Sequence, residues 1–307
     1  MKYFTKFSTF AEKYMKSVSI RLDKTTINGY NSYLKTHILP YFGNRYINKI
    51  KTEDSQAFIE YLVDNDLSPK TIKNVFSLYR SIMVRALKWD YIKKNPCEYV
   101  DLPPLTNKET DYYNEKEIRK LIRTLDKLDI SDLKFKVAVE LAFLCGLRKS
   151  EICGLDWKNV NLSKHTCRIN NKRVIIQGEG VVNGKPKTNK SNRDVVIPEP
   201  LLTDLKTLKK ISNGAAVIQN EHGDPIYPQV LARWFTRFLK DNGLRHISLH
   251  KLRHSYASLL ATLDIDIKTA SEQLGHSQTT TTLNIYTHMF NDIREDIAKK
   301  ITKRLYN

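Results

Sequence analysis

Cysteine is scarce in this chain: four in 307 residues, at Cys97, Cys145, Cys153 and Cys167, with no C-x-x-C pair among them. That excludes a disulfide framework and the usual zinc spacings, and reads as buried thiols in a reducing, intracellular setting. No H-E-x-x-H or D-x-D-x-D cluster occurs, so neither a metal site nor a cofactor is expected. Long apolar runs are missing too. Nothing approaches the ~18 residues that a membrane-spanning helix needs, and Met1-Lys2-Tyr3-Phe4-Thr5-Lys6 has no apolar core of an export signal. Negative charge is the last shortage: 33 Asp+Glu face 51 Lys+Arg, a net +18. Such an excess favours a polyanionic partner, and without a membrane segment DNA is favoured over a lipid surface.

What is present is patterned for a mainly α-helical chain. Asp23 to Leu39 places Ile27, Tyr30, Leu34 and Ile38 at helical spacing, with Pro40 and Gly43 as punctuation. Thr52 is the expected N-cap of a helix to Val63, and Ser68-Pro69 opens another. On that helix Lys70, Lys73, Ser77 and Arg80 share the face opposite the core, either a strip along DNA phosphates or an ordinary solvated face. Asp101-Leu102-Pro103-Pro104 begins an extended break. Beyond it, Asn114 with Glu117 reads as a capping box for a helix through Leu128, and Phe135–Leu144 as a strongly apolar helix ending at Gly146. The period then changes. Thr166–Ile169, Arg173–Gln177 and Asp194–Ile197 have β-branched character, predicting a small antiparallel sheet inside a helical second domain. Helices follow over Pro228–Asn242, Leu249–Leu263, Ile267–Leu274 and near the C-terminus.

Several residues carry chemistry. His250 and Arg253, three apart after the N-cap Ser248, share one helix face; Leu249, Leu252, Tyr256 and Leu259 form the docking face. An imidazole beside a guanidinium suits a non-bridging phosphate oxygen, and equally a structural pair. Arg148 follows Gly146-Leu147 with Glu151 close by: a restrained functional arginine or a plain buried ion pair. Leu274-Gly275 ends a helix and throws His276 off its end, as a ligand or a simple cap. Lys187 sits in a probable hairpin loop with Lys185 and Lys190 as competitors, and could serve as a general acid. Tyr286 is one of 16 tyrosines; a cationic pocket would lower the cost of its phenolate.

The series Gly146-Leu147-Arg148-Lys149-Ser150-Glu151-Ile152, Lys187-Thr188, His250-x-x-Arg253-His254, Leu274-Gly275-His276 and Tyr286-Thr287-His288 resembles the tyrosine recombinase (phage integrase) family. Any one piece is weak; five in this order are specific. The resemblance covers about Thr110 to Asn307. The His276-to-Tyr286 gap is closer to integrases of phages and conjugative transposons than to Xer-like recombinases.

The resemblance implies three segments: residues 1–102 as a helical, SAM-like core-binding domain, 103–110 as linker, and 111–307 as catalytic domain, with a tail helix at about 291–307 that docks on a neighbouring subunit. It implies a C-shaped two-domain clamp on duplex DNA. Arg148 and Arg253 would clamp the scissile phosphate, His250 and His276 donate to it, Lys187 protonate the leaving 5′-oxygen, and Glu151 support Arg148. Tyr286 would attack, forming a 3′-phosphotyrosine. Strand exchange would run through a Holliday junction in a homo-tetramer on specific DNA sites, without metal or ATP, with DNA-bending or excision factors as accessory partners. A mobile element and a cytoplasmic, nucleoid-associated location in a bacterium or phage-infected cell go with this reading. Many such integrases carry an arm-binding domain ahead of these helices, so a short form or a truncated chain is expected. The competing readings are a DNA-binding regulator without turnover and a type IB topoisomerase.

Overall fold

The computed structural model describes residues 4–105, 111–176, 180–184, 192–275, 279–280, 282–283 and 286–287. The chain divides into two compact units, Met1–Lys108 and Glu109–Ile175 with Glu179–Asn307.

The first unit is helical: α1 (Phe7–Ser19), α2 (Lys24–Tyr33), α3 (Leu39–Phe42), α4 (Thr52–Asp64) and α5 (Pro69–Lys88). Its core is aromatic, with Phe42 stacked on Tyr79 at 4.7 Å and the buried Tyr79 hydroxyl satisfied by Ser55 Oγ at 2.8 Å. Pro40 does not end the second helix as the sequence suggests. A π-helical turn over Leu34–Ile38 joins α2 to α3, and the Leu39 amide reaches back to the Leu34 carbonyl. The wider turn accommodates a residue that has no N–H to donate. Thr52 is not the cap of α4 either. Lys51 holds that position, and Asp54 Oδ2 accepts its backbone N–H at 2.9 Å. Ser68 does cap α5. Lys70, Lys73, Ser77 and Arg80 are all exposed on it.

The second unit is built on α7 (Leu133–Leu144), a helix apolar on most sides and covered by α9 (Glu199–Ile211), α10 (Pro228–Asp241) and α11 (Leu249–Thr262). The helix α6 (Glu115–Leu125) begins with the expected capping box, Glu117 N–H on Asn114 Oδ1 at 3.0 Å and Asn114 N–H on Glu117 Oε2 at 2.9 Å, but stops three residues before Leu128. Short α8 (Lys149–Gly154) follows α7, and α12 (Ile267–Leu274) follows α11. Strands β1 (Val160–Asn161), β2 (Thr166–Ile169) and β5 (Arg193–Val196) form an antiparallel sheet in the order β1-β2-β5, with Cys167 opposite Val195 and Ile169 opposite Arg193. A second pair, β3 (Lys172–Ile176) and β4 (Gly180–Gly184), stands apart from it. The helix α9 has no counterpart among the sequence expectations; its apolar positions Leu201, Leu202, Leu205 and Leu208 begin soon after Pro198 and lie at helical spacing. Leu259 also departs from expectation. It is exposed because its face of α11 opens on a groove lined by Ile118, Ile122 and Phe143.

All four cysteines are buried and free, and burial raises each thiol above its usual range, which makes them poor nucleophiles. No helix among the described residues is long and apolar enough to cross a membrane.

One buried charge on α7 has a pH consequence. Lys136 Nζ sits 2.9 Å from Asp126, 2.8 Å from Asp204 and 3.9 Å from Glu140. Burial, then the Asp204 charge, pushes the Glu140 carboxyl up to about 8. A raised carboxyl binds its proton in the folded state and not in the unfolded one, so stability is lost as pH rises from about 4.5 to 8. Glu140→Gln should flatten that decline; thermal unfolding at pH 5, 6.5 and 8 measures it.

Candidate active site

Arg148 and Arg253 come from segments about a hundred residues apart and meet at one place, the carboxyl end of α12. Arg253 is 1% exposed. Its Nη1 donates to the Gly146 carbonyl at 2.7 Å and its Nη2 to the Leu274 carbonyl. Arg148, about a third exposed, donates from Nη2 to the Gly275 carbonyl at 3.0 Å and from Nη1 to Glu151 Oε1 at 2.7 Å. A helix end leaves its last carbonyls without partners and carries partial negative charge, so guanidinium groups are held there twice over.

The backbone is shaped for these approaches. Gly146 and Gly275 both lie at φ +63°. A Cβ on Gly146 would come within 2.6 Å of the Tyr256 ring, and one on Gly275 within 2.7 Å of Arg193. Glycine is required at both by conformation and by space.

Glu151 is the organising anion. It is 6% exposed, accepts the Arg148 backbone N–H on Oε2 at 3.0 Å, and lies 3.9 Å from Arg253. A third arginine, Arg193, grips the same carboxylate through Nη2 at 3.1 Å and Nη1 at 3.3 Å. Burial alone would raise this carboxyl, but Arg193 and then Arg148 outweigh it and hold it down at about 2. For Arg253, burial and then the Arg148 charge lower its hold on the proton; guanidinium basicity still keeps it charged at neutral pH.

His250 is exposed at the start of α11. Packing around its ring, then the Arg253 and Arg148 charges, push it below its usual 6.5. It is therefore neutral near pH 7 and able to accept a proton. His254 stands edge-on to it at 4.8 Å and is pushed down to about 4, chiefly by burial.

Tyr286 is elsewhere. Its ring is 2% exposed, packed with Leu260, Ala261 and Ala270, and its hydroxyl donates to the Ile265 carbonyl at 3.1 Å. Ile265 precedes the first turn of α12, whereas the arginines gather past its last. Eight residues at ~1.5 Å each separate these ends by about 12 Å. Burial, then the Asp266 charge, raises the phenol above its usual range. Among the described residues, its hydroxyl meets the Ile265 carbonyl and the Asp266 charge.

Arg148, Arg253, Glu151 and His250 are thus brought together; Tyr286 is not. Lys187, His276 and the 291–307 segment lie outside the described residues. Arg193 was missed in the sequence, although a signal existed. Strand alternation puts Arg193 on the inward side with Val195 and Ile197, and an inward arginine demands an acceptor. Among the described residues no group of three or more His, Cys, Asp or Glu side chains is placed to hold a metal ion.

Comparison with known proteins follows this geometry. Residues 112–292 match the model of the phage integrase family, and residues 6–63 that of the phage integrase N-terminal SAM-like domain. The chain is 28% identical over 306 residues to the ICEBs1 integrase of Bacillus subtilis (strain 168), covering 96% of this chain and 82% of that protein. Among solved structures, the Tn1549 transposon integrase in complex with transposon right end DNA superposes with a TM-score of 0.82 at 21% identity, over 97% of this chain and 99% of that one. A lambda integrase tetramer bound to a Holliday junction gives 0.69 at 19% identity, over 90% and 79%.

Removing the Glu151 charge should loosen the cluster. Its lowered carboxyl contributes stability above about pH 4.5 that is lost as pH falls toward 2. Glu151→Gln is expected to cost on the order of 3 kcal/mol at pH 7, as for a buried ion pair stripped of one partner. It should also remove part of the acid-limb slope in that window, read by thermal melts from pH 7 to 2.

Proposed function

This chain belongs to the phage integrase family and is a tyrosine recombinase, an enzyme of DNA strand transfer; we propose that it recombines specific DNA sites through Tyr286, with Arg148 and Arg253 as the phosphate clamp. The observation that carries this reading is the convergence of the two guanidinium groups on the α12 carboxyl end, beside a neutral His250.

In this mechanism the two arginines bind the non-bridging oxygens of the scissile phosphodiester and neutralise charge that builds in the phosphorane, work that fixed donors perform without reorganisation. His276 adds a further donor. The Tyr286 oxygen attacks phosphorus in line, and its proton passes to His250. The bond to the 5′-oxygen breaks, and Lys187 protonates that oxygen. A 3′-phosphotyrosine and a free 5′-hydroxyl result. The reverse reaction with a 5′-hydroxyl from the second duplex joins the exchanged strand, so the phosphodiester energy is retained and no ATP is consumed. Two such exchanges pass through a Holliday junction in a homo-tetramer, an assembly that the lambda relative adopts. Attack requires Tyr286 to leave the Ile265 carbonyl and cover the ~12 Å to the clamp.

The exposed strip Lys70, Lys73 and Arg80 on α5 supports the first unit's hold on DNA phosphates. Integration or excision at a mobile element fits the ICEBs1 and Tn1549 integrases that the chain resembles; accessory DNA-bending factors and a place on the nucleoid belong to the same proposal.

Two outcomes test the reading. Tyr286→Phe should bind DNA like the wild type and yield no covalent adduct on a nicked suicide substrate; adduct from that variant removes Tyr286 from the reaction. Because His250 accepts the proton only when neutral, single-turnover cleavage should fall with an apparent pKa below 6.5 as pH drops, and His250→Asn should abolish that limb. A pH-independent wild-type rate from 5 to 7 would assign the proton to another base.

A further inference from the structure

The carboxyl end of α12 offers three successive carbonyls, and each is taken by a different arginine. Gln273 O accepts from Arg193 Nε at 2.7 Å, Leu274 O from Arg253 Nη2, and Gly275 O from Arg148 Nη2 at 3.0 Å. The same three side chains surround one carboxylate, Glu151, at 3.1, 3.9 and 2.7 Å respectively. Two of them are the phosphate clamp. The third is a residue on β5 to which nothing above gives a task in the reaction.

Geometry separates Arg193 from its companions. Its side chain is 7% exposed, as is that of Glu151, and its Nε, Nη1 and Nη2 are all engaged within the cluster. All its hydrogen bonds point inward: a two-pronged grip on both carboxylate oxygens and one bond to Gln273 O. A guanidinium fork of this kind fixes orientation as well as charge. It also decides how much positive charge faces outward. One carboxylate among three guanidinium groups leaves a surplus of two positive charges. Without Arg193, the same carboxylate would be shared between Arg148 and Arg253 alone, cancelling half of the charge meant for the phosphate and drawing Arg148 inward.

We propose that Arg193 is a positioning residue for strand cleavage: by engaging Glu151 and the Gln273 carbonyl it holds Arg148 outward and leaves the clamp's charge free for the scissile phosphate. The proposal rests on the recombinase mechanism above. It acts through the clamp rather than through leaving-group protonation, although Arg193 follows Lys187 closely in sequence. The contact with Gly275 gives it a second effect. With no Cβ at Gly275, the Arg193 guanidinium packs against the turn from which the chain continues to His276.

The test compares full-length wild type, Arg193→Gln, Arg193→Lys, Glu151→Gln and the Arg193→Gln/Glu151→Gln double variant by single-turnover cleavage of a suicide substrate. Each is checked for thermal unfolding and for noncovalent binding to duplex DNA carrying the site. Arg193→Gln is expected to slow cleavage 10- to 100-fold while DNA affinity changes less than threefold. Arg193→Lys, which keeps the charge but not the fork, should fall between. Because Arg193 acts through Glu151, the double variant should be no slower than the slower single variant. A substrate with sulfur at the 5′-bridging position, whose leaving group needs no proton, should leave the Arg193→Gln deficit in place. Full rescue by sulfur, additive losses in the double variant, or a cleavage rate equal to wild type would each overturn the proposal. If the glutamine variant does not fold, the lysine variant decides by the same sulfur and double-variant comparisons. Absence of a Tyr286 adduct from the wild type itself would instead overturn the recombinase mechanism.

Discussion

A helix end with nowhere to put its last carbonyls is the constraint on which this site depends. Eight-residue α12 stops at a left-handed Gly275, and the carbonyls of 273, 274 and 275 turn toward α8, α11 and β5 rather than toward water. Neutral donors would have satisfied them. Arginines do more, because each guanidinium retains unused N–H groups after capping a carbonyl. The fold thus turns an unavoidable hydrogen-bonding debt into a cluster of oriented cations. Glu151 makes the cluster tolerable by placing one fixed negative charge among three positive ones that would otherwise repel one another.

The two arginines proposed as the clamp are not equivalent. Arg253 is almost wholly enclosed and is locked by two carbonyls from opposite sides, Gly146 and Leu274. Arg148 is far more exposed and is steered from below by Glu151. In the proposed mechanism, one is a fixed anchor and the other the arm that reaches the scissile phosphate. That division explains why the glycine at 146 is as demanding as the one at 275. The first lets a carbonyl approach the buried guanidinium beside the Tyr256 ring, and the second lets Arg193 lie against the turn.

Much of this was legible in the sequence, for physical reasons that differ by element. Helix starts with side-chain caps, Ser68, Asn114 and Ser248, were found because the capping residue and the apolar period that follows are local. Arg148, Glu151, His250 and Arg253 stood out through their motif. The misreadings share a cause: a nonlocal or unusual backbone solution outweighed the local rule. Pro40 reads as a stop until a π-turn absorbs it. Leu259 reads as core until its groove is seen to be open. Arg193 carried only the alternation of a four-residue strand, and its acceptors, Glu151 and Gln273, lie 42 and 80 positions away. No window along the chain contains that information.

The position of Tyr286 follows from the same architecture. Cations collect at one end of α12 because the helix is negative there; its amino end is occupied by Asp266, whose carboxylate accepts the N–H groups of Lys268 and Thr269. Burial and then the Asp266 charge raise the Tyr286 phenol above its usual range, while the arginines proposed as the clamp gather at the other end of the helix. The phenol's hydroxyl bond to the Ile265 carbonyl contributes about 1 kcal/mol net, and burial of the ring adds roughly 2 kcal/mol. In the proposed mechanism, the two ends of one short helix, opposite in polarity, separate the nucleophile from the clamp until the substrate joins them.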